Sequence, residues 1–204
     1  MHIHTHPTTW YIDLDSTLYD TPKFKEALAQ SMSGLIHPDD FLISFEQVLR
    51  SYEQGYAYSI ERHANVLQDL HGIPADITTS TLSQIVEESN DFVYDDVIPF
   101  LESKRDENLI LLSFGDTDFQ MAKINASGLT KYFKHILVTE AHKHTIALPT
   151  AINSQTIFLN DNRLENKQLR LAYPQAKIIE IQRDRKDIPD EDFEVITSLR
   201  EIGI

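Results

Sequence analysis

Three features of the sequence predict an α/β fold carrying an all-helical insertion. Five short segments are rich in β-branched and aliphatic residues, and four of them are nearly continuous apolar runs. Segments able to hold crossover helices separate the later ones, and residues 21–97, after the first, show apolar residues at helical spacing with no convincing strand.

The strand candidates are TWYIDL (9–14), LILLSF (109–114), HILVT (135–139), TIFLN (156–160) and KIIEIQ (177–182). Unbroken apolar runs suit strands buried on both faces, as in a parallel sheet wrapped by helices. DFQMAKINASGL and RLENKQLRLAY supply crossover helices between them. In the insertion, FKEALAQSM, DFLISFEQVLRSYE, SIERHANVLQDL and STLSQIVEESNDFVYD read as helices. A helical stretch of that length is too long for a crossover, so it reads as a subdomain. The expected organisation is a Rossmann-like parallel sheet core of five main strands, residues 1–20 and 98–204, with a helical cap over 21–97.

Composition limits the partners. The 204 residues include 32 acidic and 18 basic side chains, a formal charge of −14, which repels nucleic acid and anionic membrane surfaces. Any phosphate site here should need a cation. Cysteine is absent, which excludes disulfides, thiolate metal sites and cysteine nucleophiles. The N-terminal MHIHTHPTTW lacks the apolar core of a signal peptide, and no run approaches the length of a membrane span, so cytoplasmic residence is expected. His2, His4 and His6 alternate there, which suits either a weak metal site on an extended segment or a solvated terminus.

In a parallel α/β sheet, ligands bind beyond the carboxyl ends of the strands. There the first strand ends in Asp13 and Asp15, the second in Ser113, the third runs into a loop bearing Lys143, and the fourth ends in Asp161 with Glu165 four residues on. Two close carboxylates resist desolvation unless something positive arrives or one keeps a proton, which makes Asp13 and Asp15 a site candidate. Asp161 also suits a helix N-cap, and Lys123, Lys131 and Lys134 compete with Lys143 for the lysine position.

The order and spacing of these residues resemble the haloacid dehalogenase superfamily of aspartate-nucleophile hydrolases. DLDST matches its first motif, Ser113 in LLSFGD the second, Lys143 the third and LNDNRLE the fourth, while GLTKYF (128–133) matches a stretch preceding its third strand. Asn160 stands where many members have Gly, His144 where Pro often follows the lysine, and Glu165 where Asp is more usual. The helical insertion after the first motif resembles the superfamily's first class of cap.

This resemblance implies a Mg²⁺-dependent phosphatase acting on a small phosphomonoester. Asp13 would attack phosphorus to form an aspartyl-phosphate, and Asp15 would serve as acid and then base. That role asks for a proton on Asp15 at working pH, which a crowded acidic site favours. Asp13, the main-chain carbonyl of Asp15 and Asp161 would hold Mg²⁺, with Glu165 nearby. Lys143 would steady nucleophile and phosphate, and Ser113 with the backbone at Phe114 and Gly115 would bind a phosphoryl oxygen. Thr17 would orient the loop and Asp15 and touch substrate. Carbon–halogen hydrolysis uses the same nucleophile, but the superfamily's dehalogenases typically lack the second aspartate. A phosphomutase, or a binding protein that kept the fold, completes the alternatives.

Substrate choice is expected in the cap, which closes over the leaving group. Tyr52, Tyr56 and Tyr58 cluster around Gly55, with Arg62 and His63 beyond; they would line a pocket or pack between cap helices.

Overall fold

The computed structural model describes residues 7–50, 57–184 and 193–203. His2, His4, His6, Tyr52, Gly55 and Tyr56 lie outside the described residues. The core is one parallel sheet in the order β3-β2-β1-β4-β5-β6, formed by β1 (Thr9–Ile12), β2 (Asn108–Phe114), β3 (His135–Thr139), β4 (Thr156–Asn160), β5 (Lys177–Ile181) and β6 (Glu194–Ile196). The five expected strands are all present, two with the expected bounds. β6 is an additional, sixth strand, and β1 stops at Ile12 because Asp13 and Asp15 already belong to the loop that follows.

β1 is central, with Ile12 in register with Leu111 of β2 and Leu159 of β4. Strand order reverses there, which opens a crevice at the carboxyl ends of β1, β2 and β4. The pleat sends Trp10 and Ile12 to one buried face and Tyr11 to the other. Leu109 and Leu111 side with the first set, Ile110 and Leu112 with the second, so the apolar runs are explained by burial on both faces.

The insertion holds α1 (Thr21–Ser31), α2 (Pro38–Arg50), α3 (Ile60–His71) and α4 (Ala75–Glu87), and the core helices are α5 (Val97–Ser103), α6 (Thr117–Ala126) and α7 (Arg163–Ala172). Local chemistry sets their ends. Asp20 accepts from Lys23 N–H ahead of α1, Ser59 from Arg62 N–H ahead of α3, and Asp116 from Phe119 N–H ahead of α6. Pro74 precedes α4, which starts earlier than the STLSQIVEESNDFVYD pattern indicates and gives way to a 3₁₀ turn at Ser89–Phe92. The chain enters and leaves the insertion side by side. Asp20 N–H donates to Phe92 O at 2.7 Å and Tyr94 N–H to Leu18 O at 3.2 Å, around a bridge between Tyr19 and Val93. Among the described residues no helix is long and apolar enough to cross a membrane.

His63 is a structural residue of the cap. Its ring is fully buried, bonded through Nε2 to Ser44 Oγ at 2.7 Å and through Nδ1 to Tyr58 Oη at 2.9 Å, and packs on Phe41 at 4.5 Å. Burial pulls its pKa from 6.5 down to about 4. Between those values the unfolded chain binds the proton that the folded cap refuses, so stability is fully present above pH 6.5 and declines as pH falls toward 4, by about 3 kcal/mol in all. Urea unfolding across that window is expected to show this slope in the wild type and a flatter one in His63→Asn. Equal slopes would assign the acid sensitivity to other groups.

Candidate active site

The crevice at the carboxyl ends of β1, β2 and β4 continues under the cap as a cavity of about 360 Å³, with Asp13, Asp15, Lys143, Asp161 and Glu165 in its walls. Asp13 directly follows β1, and its backbone N–H donates to Leu159 O at 2.9 Å, fixing the carboxylate between the strand ends. Thr17 Oγ1 donates to one carboxylate oxygen at 3.2 Å, and Lys143 Nζ contacts the other at 2.6 Å. Burial pushes the Asp13 carboxyl up to about 6, with Lys143 pulling it down and Glu165 and Asp15 adding repulsion.

The loop after Asp13 is tight. Ser16 has φ 56°, a left-handed conformation unusual for a residue with a side chain, and its N–H donates to Tyr19 O at 2.8 Å. This turn brings Thr21 Oγ1 to 2.7 Å from Asp15. Thr17, expected to orient Asp15 and touch substrate, is instead fully buried beneath Asp13, and Thr21 takes its place at Asp15.

Asp15 has two further partners, both from α6. Gln120 Nε2 donates to one oxygen at 2.8 Å and Lys123 Nζ contacts the other at 2.5 Å. Burial pushes the Asp15 carboxyl upward, but Lys123, Thr21 and Gln120 outweigh it and hold the group below the usual carboxylate range. This corrects the expectation of a proton stored on Asp15: crowding by carboxylates is overridden by a buried ammonium. Lys123 itself is 2% exposed and lies 4.7 Å above the Tyr19 ring. The sequence offered it only as a rival to Lys143, yet both lysines serve the site, one per aspartate.

Lys143 begins a 3₁₀ turn after β3, is 4% exposed, and also contacts Glu165 Oε2 at 2.9 Å and Asn160 Oδ1 at 3.3 Å. Its two carboxylate partners raise its pKa against the cost of burial. Asn160 Nδ2 in turn donates to Glu165 at 3.1 Å, which gives a function to the residue standing in place of glycine. Asn162 caps α7, accepting from Leu164 and Glu165 N–H, so the capping role considered for Asp161 belongs to its neighbour. Asp161 lines the cavity, where burial and then repulsion from Asp13 hold its pKa well above the usual range.

Ser113 Oγ is wholly buried on β2 and, among the described residues, has no hydrogen-bond partner. Phe114 and Gly115 line the cavity. Gly115 N–H, expected to be available to a ligand, is committed to Thr139 O at 2.9 Å. Gly115 has φ 144°, and a Cβ there would lie 2.9 Å from Gln120 Nε2. Gly115→Ala is therefore expected to displace Gln120 from Asp15 and lower turnover about tenfold or more. Unchanged kcat with a well-folded variant would show that Gln120 does not position Asp15.

Arg62 and His63 are not brought to the cavity: Arg62 bonds Ser59 and Ala57 O, and His63 is enclosed in the cap. Helical spacing could not reveal which side of α3 faces the crevice. Of the described residues of that cluster, Tyr58 reaches the cavity wall.

Four carboxylates, Asp13, Asp15, Asp161 and Glu165, thus meet two ammonium groups, Lys123 and Lys143, within one cavity. The surplus of two negative charges and the raised carboxyls of Asp13 and Asp161 suit a divalent cation with oxygen ligands. Among the described residues no three imidazole or carboxylate groups form a ready-made metal cage. Asp13 and Asp161 supply the one or two carboxylates by which a hard divalent cation is commonly held.

No protein-family model matches the sequence, and no curated protein matches it. Solved structures do. The HAD-hydrolase YfnB from Bacillus subtilis, bound to magnesium, is similar with a TM-score of 0.68 at 18% identity, over 97% of each chain. A haloacid dehalogenase-like hydrolase from Burkholderia xenovorans gives 0.74 at 17%, over 97% of this chain and 95% of that one. The L-2-haloacid dehalogenase from Xanthobacter autotrophicus gives 0.67 at 14%, over 96% of each. At such identities the likeness is one of fold. The chain has the haloacid dehalogenase-like fold, with a helical cap inserted after the first strand.

Proposed function

We propose that this protein is a Mg²⁺-dependent phosphomonoester hydrolase working through an aspartyl-phosphate. The observation that carries the reading is the convergence of Asp13, Lys143 and Asp161 at the switch point, with Asp13 held on both oxygens, by Thr17 and Lys143. Asp13 attacks phosphorus, the ester P–O bond breaks, and the phosphoryl group passes to the carboxylate. Lys143 balances Asp13 and Glu165 so that the nucleophile stays ionised and aimed. Ser113 Oγ, buried at the end of β2 just behind the cavity-lining Phe114 and without a partner among the described residues, would donate to a phosphoryl oxygen.

The leaving alkoxide needs a proton. The Lys123–Asp15 pair carries one at a contact of 2.5 Å, and Asp15 relays it to the leaving oxygen. In the second half-reaction the same pair takes a proton from the water that attacks the aspartyl-phosphate. Held by Asp13, Asp161 and the main-chain carbonyl of Asp15, Mg²⁺ would offset the charge on the phosphoryl oxygens as it accumulates.

One observation favours a second reading. Asp15 is clamped as a carboxylate by Thr21, Gln120 and Lys123, which suits a leaving group that requires no proton, and a dehalogenase is among the structural neighbours. In that reading Asp13 displaces halide from the α-carbon of a 2-haloacid. A panel of phosphomonoesters and 2-haloacids, assayed for phosphate and halide with and without Mg²⁺, separates the two. Metal-dependent phosphate release that EDTA abolishes is expected. Halide release indifferent to EDTA would replace the proposal with the second reading, and transfer to an added sugar phosphate without free phosphate would make the protein a mutase.

A further inference from the structure

The cavity over Asp13 has a second half that the chemistry at phosphorus does not use. It is walled by Phe24 of α1, Phe45 and Leu49 of α2, Tyr58 ahead of α3 and Phe119 of α6. The rings form a continuous surface. Phe45 and Tyr58 stack at 4.2 Å with 18° between planes, Tyr58 meets Phe119 edge-on at 4.9 Å, and Phe119 lies 6.2 Å from Phe24.

The polar groups of this wall are occupied. Tyr58 Oη is bonded to His63 Nδ1 in the cap interior at 2.9 Å, so the tyrosine is anchored by its polar end to a buried partner. Lys25, which also lines the cavity, has its Nζ 4.8 Å over the Phe45 ring and 3.3 Å from Glu46. Among the described residues the cap therefore offers this cavity its rings, Leu49, the balanced charge of Lys25 and the Thr21 hydroxyl, which is already donated to Asp15. A polyhydroxylated leaving group entering here would give up water without replacement hydrogen bonds, whereas a flat ring would find edge and face contacts.

We infer that the substrate is the phosphate ester of an alcohol bearing a flat aromatic or heteroaromatic ring, with that ring against Phe45, Tyr58 and Phe119. A cavity of about 360 Å³ is of a size to hold a phosphoryl group and one such ring. The inference rests on the phosphomonoesterase reading and adds the class of leaving group to it.

The test compares kcat/KM for phosphate release from benzyl phosphate, n-butyl phosphate and glycerol 3-phosphate, with Mg²⁺ present. All three lose a primary alkoxide, so the pocket rather than leaving-group chemistry dominates the differences. Benzyl phosphate is expected to exceed glycerol 3-phosphate by roughly 10- to 100-fold, mainly through KM, with the butyl ester between them. In Phe45→Ala and Phe119→Ala the benzyl-to-glycerol ratio is expected to shrink to about threefold or less. Equal or better turnover of glycerol 3-phosphate by the wild-type protein overturns the aromatic assignment and leaves the reaction class standing. Absence of phosphate release from all three esters overturns the reaction class and the assignment with it.

Discussion

Asp13→Asn is expected to lower kcat for phosphate release by about 10⁴-fold or more while leaving the protein as stable as the wild type, or more so. The two halves of that expectation have one cause. Asp13 is 6% exposed and shares its surroundings with Asp15, Asp161 and Glu165, so burial and repulsion drive its carboxyl up to about 6 even with Lys143 in contact. A neutral amide removes that tension but cannot form an acyl-phosphate. Lys143 keeps Glu165 and Asn160 as partners. Thermal unfolding beside steady-state kinetics measures both. A large drop in melting temperature together with retained activity would mean that Asp13 is a structural carboxylate and that the nucleophile lies elsewhere.

Lys143→Met should fail on both counts. Removing the ammonium strands Asp13 and Glu165, two buried or half-buried carboxylates, and breaking a buried pair by deleting one partner costs about 3–5 kcal/mol. In a chain of this size that is roughly 10 °C in melting temperature. Activity is expected to fall by about 10³-fold, because the nucleophile then relieves its burial by taking up a proton. The pair of substitutions is informative together: one cripples the chemistry and spares the fold, the other damages both. A Lys143→Met protein with unaltered melting temperature and turnover within tenfold of wild type would remove Lys143 from the site.

The sequence was most legible where a side chain's position follows from its strand. HILVT and TIFLN became β3 and β4 with the expected bounds, and the residues at strand ends, Asp13, Ser113 and Asp161, arrived at one edge because parallel strands share a direction. β6 escaped notice because three residues, Glu194–Ile196, carry too little periodicity to register. The partners of Asp15 were hidden for a different reason. Gln120 and Lys123 lie 105 and 108 residues away, and only the packing of α6 against the first loop brings them in. Their spacing of three on one helix was the available signal, since it places both on one face. The misplaced cap residues show the same limit. Arg62 and His63 sit beside Tyr58 in sequence, but α3 turns His63 into the cap, so only the tyrosine meets the cavity.

The central claim is that Asp13 attacks phosphorus and that water then attacks the same phosphorus. A single turnover of a phosphomonoester in H₂¹⁸O, with excess enzyme and Mg²⁺, followed by mass spectrometry of the released phosphate and of the peptide containing Asp13, addresses it directly. Expected are one ¹⁸O in inorganic phosphate, none in Asp13, and, on acid quench during the turnover, an Asp13 peptide heavier by one phosphoryl group. The same phosphate label with no phosphorylated Asp13 at any time point would mean direct attack by water and would contradict the aspartyl-phosphate. Label in the Asp13 carboxylate would place water's attack on the carboxyl carbon of an ester, as when the nucleophile has displaced a group from carbon, and would contradict the phosphatase reading.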